Sequence, residues 1–138
     1  MPPGQKLTSE KLGAFIVDYA AGGHPVQRLV EAVCSCQGRT FTVEVDDSEG
    51  FAARTCLMCA VRTLMLDSAD VEEDAEPEEC ECPCGHGLFA VTVGFSMRPD
   101  NSVKWVSLGL QCVACERSGV YADWKIDYDP TEQLLRNV

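Results

Sequence analysis

The chain has 138 residues, 22 Asp and Glu against 11 Lys and Arg, a formal net charge of −11 and nine cysteines. That length suits one ordinary domain or two very small ones, and units of half this size often need a metal or disulfides to stay folded. The acidic balance argues against binding a phosphate backbone, because the basic residues are scattered rather than clustered. No stretch approaches the 18 apolar residues of a membrane span, and "MPPGQKLTSE" has no basic segment leading into an apolar run, so a cytoplasmic chain with reduced thiols is expected. In that setting paired cysteines point to metal ligation more than to disulfides, and an odd count fits a fully paired disulfide set poorly.

In chain order, "LTSEKLGAFIVDYAAGG" predicts an N-terminal helix within residues 1–24. Leu12, Phe15, Ile16, Tyr19 and Ala20 form its apolar stripe, Thr8 or Ser9 caps it, Glu10 lies in the first turn and Gly22 ends it. "HPVQRLVEAVC" fits helix or strand, and its β-branched content favours strand. "RTFTVEV" alternates Phe41, Val43 and Val45 with polar residues, "DDSEG" is a turn, and "FAARTC" returns to a cysteine pair, giving a first unit over 25–66. The stretch 67–81 carries nine acids and no base, and reads as a solvated linker or as an acidic patch for a basic partner. A second unit, 82–128, alternates Phe89, Val91, Val93 and Phe95, turns at "RPDNS", and returns with Val106, Leu108 and Leu110 on the face of Cys112. A further strand follows with Trp124, Ile126 and Tyr128 on one side. A short helix within 129–138 is expected, with Asp129 as cap, Pro130 in the first position and Glu132 completing a capping box.

The cysteines make a repeat. Cys34-x-Cys36 falls on Cys82-x-Cys84 at a shift of 48, together with Phe41 on Phe89, Val43 on Val91 and Val45 on Val93. Cys56-x-x-Cys59 falls on Cys112-x-x-Cys115 at a shift of 56, so the second copy carries eight extra residues, placed in a longer hairpin around "RPDNSVKW". A closed structural zinc site takes four ligands at tetrahedral corners. Two cysteine pairs on tight turns, brought together by a β-hairpin, supply them. The eight candidate ligands are Cys34, Cys36, Cys56, Cys59, Cys82, Cys84, Cys112 and Cys115, with two zinc ions per chain; four thiolates also suit iron. Four doublets pair in three ways, and the pairing within each copy is preferred because each copy has its own hairpin.

Each copy resembles a zinc ribbon, over residues 34–59 and 82–115. The first pair of each copy is CxC in "CSCQG" and "CPCGH", and "CLMC" and "CVAC" are followed by Ala60 and Glu116 where ribbons usually carry glycine. The expected fold is therefore α+β: two tandem ribbon-like hairpin units with an N-terminal and a short C-terminal helix. Cys80 is a bystander thiol or a substitute ligand, and His86 is a weaker ligand candidate than the four cysteines beside it. His24 is expected in a loop.

Complete thiolate quartets leave no open coordination position, and no nucleophile elbow, phosphate loop or HExxH is present, so no catalysis is expected. The expected role is a protein–protein interaction module, an adaptor or an immunity-like inhibitor of a basic partner, with Trp105, Trp124, Tyr128 and the acidic stretch as candidate contacts. Two alternatives remain at this level. One is a nucleic-acid-associated ribbon, as the resemblance suggests for transcription machinery, using Arg39, Arg54 and Arg62 as a local face. The other is a thiol switch in which oxidation ejects zinc and engages Cys80.

Overall fold

A computed structural model describes residues 3–19, 23–128 and 130–138, with the side chains of the first helix described from Glu10 onward. Helix α1 spans Pro3–Tyr19. Strands follow at Arg28–Glu31 (β1), Phe41–Asp46 (β2), Phe51–Cys56 (β3), Arg62–Leu64 (β4), Glu78–Glu79 (β5), Phe89–Met97 (β6), Val103–Cys112 (β7) and Ser118–Lys125 (β8), and helix α2 closes at Glu132–Arg136. The architecture is a mostly antiparallel sheet with two helices, broadly α+β.

The sheet runs β4-β3-β2-β6-β7-β8. The two hairpins share it because one edge of β6 is divided: β1 pairs along Thr92–Phe95, and β2 meets the same edge through Phe41 opposite Phe89. The alternation read in the sequence appears as register. Phe89, Val91, Val93 and Phe95 lie opposite Cys112, Leu110, Leu108 and Val106, and all eight are almost completely buried. Phe41, Val43 and Ala52 of the first hairpin belong to the same apolar core, with Ile126 and Leu134 from the C-terminal region. The eight inserted residues give β6 and β7 nine and ten residues against six each in β2 and β3.

That extra length carries α1. On the other face of β6 and β7, Gly94 and Gly109 let Ile16 of α1 lie close against the sheet, with Val26 beside Gly94, and Leu12 and Ile16 are completely buried. A Cβ at Gly94 would stand 2.5 Å from Ile16 Cγ2, and one at Gly109 2.3 Å from Ile16 Cδ1. The apolar stripe is consequently narrower than the sequence predicts. Phe15 and Tyr19 stay exposed and stack on each other at 6.2 Å. Ala20 and Gly22 lie outside the described residues. The helix also starts at Pro3, ahead of Thr8 and Ser9, so neither residue is at its cap.

At the other end Thr131, not Asp129, is the residue at the cap of α2, and it makes no side-chain capping bond. Its Oγ1 is already used: it accepts from the Val103 N–H at 2.9 Å, fastening the start of β7. Asp129 lies outside the described residues.

The acidic stretch 67–81 does not hang free. Ser68 Oγ accepts from the Ala52 N–H at 2.9 Å, β5 pairs with Glu44 and Val45 of β2, and the Cys80 N–H donates to Val43 O at 2.7 Å. Asp67 accepts from Trp124 Nε1 (3.3 Å) and from the Tyr128 hydroxyl (2.9 Å). The unpaired edge of β2 needs partners for its peptide groups, and this stretch supplies them at little cost to its solvated carboxylates.

Gly94→Ala should destabilise the fold by about 1–3 kcal/mol, since the new methyl meets a β-branched side chain with one preferred rotamer. Urea denaturation measures this, and Ile16→Ala combined with Gly94→Ala should cost less than the sum of the two single changes.

Candidate metal centres

Each cysteine pair sits on a tight turn whose hydrogen bonds repeat between copies. In the first copy the Cys34 N–H donates to Gly38 O and the Gln37 N–H to Cys34 O, both at 2.8 Å. In the second, the Cys82 N–H donates to His86 O and the Gly85 N–H to Cys82 O, also at 2.8 Å. The CxxC turns match as well: Cys56 N–H to Val61 O and Ala60 N–H to Cys56 O correspond to Cys112 N–H to Arg117 O and Glu116 N–H to Cys112 O. The Leu57 N–H to Thr40 O bond has its counterpart in Val113 N–H to Leu88 O, which ties each CxxC turn to its CxC turn. Strand register completes the placement, because Phe41 lies opposite Cys56 and Phe89 opposite Cys112.

The result is two groups of four sulfurs, Cys34, Cys36, Cys56 and Cys59, and Cys82, Cys84, Cys112 and Cys115, each with all sulfurs within 4.8 Å of one another. The quartets form within copies, and the two cross-pairings left open by the sequence are not those found. Diagonal sulfur pairs lie at 3.5 Å for Cys34–Cys59 and Cys36–Cys56, and at 3.5 and 3.6 Å for Cys82–Cys115 and Cys84–Cys112. With metal–sulfur bonds of about 2.3 Å, a tetrahedron has an edge of about 3.8 Å. A disulfide would need about 2.0 Å. The sulfurs are thus spaced for a shared ion, and the donor set fits a soft or borderline metal. In each group the first cysteine of each doublet is buried, while the second cysteine is exposed or half-buried.

The close thiols split in each group: the backbone amides and neighbouring sulfurs lower Cys34, Cys56 and Cys112, while neighbouring thiols and burial raise Cys59 and push Cys36 and Cys82 up to about 12. The Cys36 N–H aimed at Cys34, with the Cys59 thiol, pulls Cys34 down to about 6. The Cys59 N–H likewise lowers Cys56. At Cys112 burial pushes upward, but the amides of Cys115 and Ala114 and the neighbouring thiols bring it to about 6.

Gly38 is a site residue that ligand spacing alone does not identify. In the first copy a Cβ there would come within 2.7 Å of Cys56 Sγ and 3.3 Å of Cys36 Sγ, so glycine suits this turn, whereas the second copy carries His86 at the equivalent position and its quartet still closes. His86 lies beside the second group, outside the quartet, with Nδ1 3.4 Å from Cys84 Sγ. Cys80 belongs to neither group. It is buried, and desolvation with the charge of Glu79 pushes its thiol up to about 12. Tyr121 packs edge-on to Phe89 at 5.5 Å, between Cys80 and the second group, and its hydroxyl is raised by burial and by the nearby thiols. His24 stacks on Trp105 at 4.3 Å and belongs to neither quartet.

The three arginines that could have made a basic face are each otherwise engaged. Arg39 pairs with Glu31 at 2.9 Å, and Arg62 pairs with Glu44 and approaches Glu72. Arg54 is buried over the Phe41 ring and donates to Val138 O.

No protein-family model matches the chain, and no curated protein or solved structure matches it.

The CxxC turns hold two non-glycine residues in the left-handed region, Ala60 at φ 62° and Glu116 at φ 63°. These are the positions at which ribbons usually carry glycine. A side chain there costs about 1–2 kcal/mol, partly offset by the lower entropy of the unfolded chain. Ala60→Gly and Glu116→Gly should each raise stability by about 0.5–1 kcal/mol in chemical denaturation, with metal content unchanged.

Proposed function

We propose that the protein is a non-catalytic zinc-binding module of tandem zinc-ribbon type, with one structural zinc ion in each cysteine quartet, serving protein–protein interaction as an adaptor or inhibitor. The observation that carries this reading is the pair of four-sulfur groups spaced near a tetrahedral edge at equivalent positions of two hairpins. Cys34, Cys36, Cys56 and Cys59 would hold one ion, and Cys82, Cys84, Cys112 and Cys115 the other. Bound zinc would supply no reaction here, because four thiolates fill its coordination shell. It would instead contribute about 10 kcal/mol or more per site toward folding, in hairpins too small to be secure alone. A reducing, cytoplasmic setting keeps the thiolates available. Among the described residues, no helix is long and apolar enough to cross a membrane.

Interaction rather than nucleic-acid binding is favoured by the net charge of −11 and by the engagement of Arg39, Arg54 and Arg62 with protein groups. A thiol switch through Cys80 is disfavoured by the burial of its side chain.

Elemental mass spectrometry on protein purified without added metal should find two zinc per chain. Cys36→Ser should lower this to one, with Cys84→Ser doing the same at the other centre. Chelation of both ions should abolish the cooperative unfolding transition in circular dichroism. Iron in place of zinc would correct the metal, and absence of metal together with blocked thiols would overturn the reading.

A further inference from the structure

The repeat provides a comparison within one chain. Leu57, Met58, Ala60 and Val61 of the first CxxC turn occupy the backbone positions of Val113, Ala114, Glu116 and Arg117 in the second, with the same hydrogen bonds and the same left-handed residue. Both sets are exposed, so the turn itself needs no large apolar side chain at these positions. Yet the first copy presents Leu57, Met58 and Val61 at 58%, 74% and 55% exposure, whereas the second has kept Val113 and otherwise carries a small residue and two charges. Three large apolar side chains on one turn of a highly charged protein form a contact patch, not a requirement of the fold.

What adjoins that patch identifies its partner. A cavity of about 180 Å³ opens beside the turn, lined by Thr55, which precedes Cys56, by Arg62, which follows Val61, and by Glu44 and Glu79. The Arg62 charge is taken up by Glu44. Glu79 also lines a second cavity, of about 380 Å³, whose walls carry Asp46, Asp47, Glu76, Glu78, Glu79 and Glu81 and no Lys or Arg. An apolar tip thus leads into an acidic groove along β5 and the edge of β2.

Building on the interaction-module reading above, we infer that the first CxxC turn and the β5 groove form one docking surface for a basic protein segment, whose apolar side chain seats on Leu57, Met58 and Val61 while its Lys or Arg residues lie along the groove. The apolar contact would set the residence time, and the carboxylates would steer association and make it sensitive to salt.

The test uses the zinc-loaded full chain and a labelled synthetic peptide, Leu-Trp-Leu followed by a run of lysines, read by fluorescence anisotropy at about 0.15 M salt. Controls are the lysine run alone and the same apolar tip followed by glutamates. The proposal expects the first peptide to bind best. It expects Leu57→Ser/Met58→Ser/Val61→Ser to weaken it about tenfold or more, and Val113→Ser to leave it unchanged. Glu79→Gln/Glu81→Gln should weaken binding and flatten its salt dependence. Equal binding by the wild type and the triple variant, both holding two zinc, overturns the proposal, as does absence of binding or equal preference for the glutamate peptide. The broader module reading is judged separately by affinity capture: it fails if the wild type captures no partner, and it survives, without this surface, if wild type and triple variant capture the same one.

Discussion

Four sulfurs can close around one zinc-sized ion in a tetrahedral site only if they converge at short spacing, and the turns and strand register of this protein bring them to that spacing. The CxC and CxxC turns each fix two sulfurs, but the two turns lie at opposite ends of a hairpin path and must return to one point. Antiparallel pairing achieves this through register, with Phe41 facing Cys56 and Phe89 facing Cys112. A one-residue slip would turn the cysteine to the wrong face and move Phe41 or Phe89 out of the core at the same time. Sulfur geometry and apolar burial are thereby tied to the same strand pairing.

The parts legible in the sequence are those set by short, local rules. Doublet spacing located the eight sulfurs, and period-two alternation marked the strands and the side of each that is buried. The parts that were not legible depend on groups distant in the chain. Phe15 and Tyr19 have the right helical spacing for burial, but the small residues of β6 and β7 beneath α1 lie against Ile16, and these two rings stay exposed. Thr131 was overlooked as the residue at the cap because Asp129 and Pro130 spell a stronger local signal, while the Thr131 hydroxyl is claimed by Val103. The acidic stretch reads as a linker by composition, and no local pattern announces that β2 lacks a partner along Glu44 and Val45.

The two copies differ around the same ligand geometry. The ligand turns keep every backbone hydrogen bond compared above, including the left-handed residue after each CxxC. Change has gone into what the turns display and into the length of the hairpin between them. The longer hairpin, with β8, carries α1, whereas the shorter one presents an exposed apolar turn.

The meeting of β2 and β6 at Phe41 and Phe89 ties the two sites together thermodynamically. Both phenylalanines are completely buried in a core that the two hairpins hold in common. An ion held by one quartet would order apolar surface on which the other hairpin also packs, and would leave less chain for a second ion to organise. Were each quartet to take an ion, the shared core would favour joint over separate loading of the two hairpins.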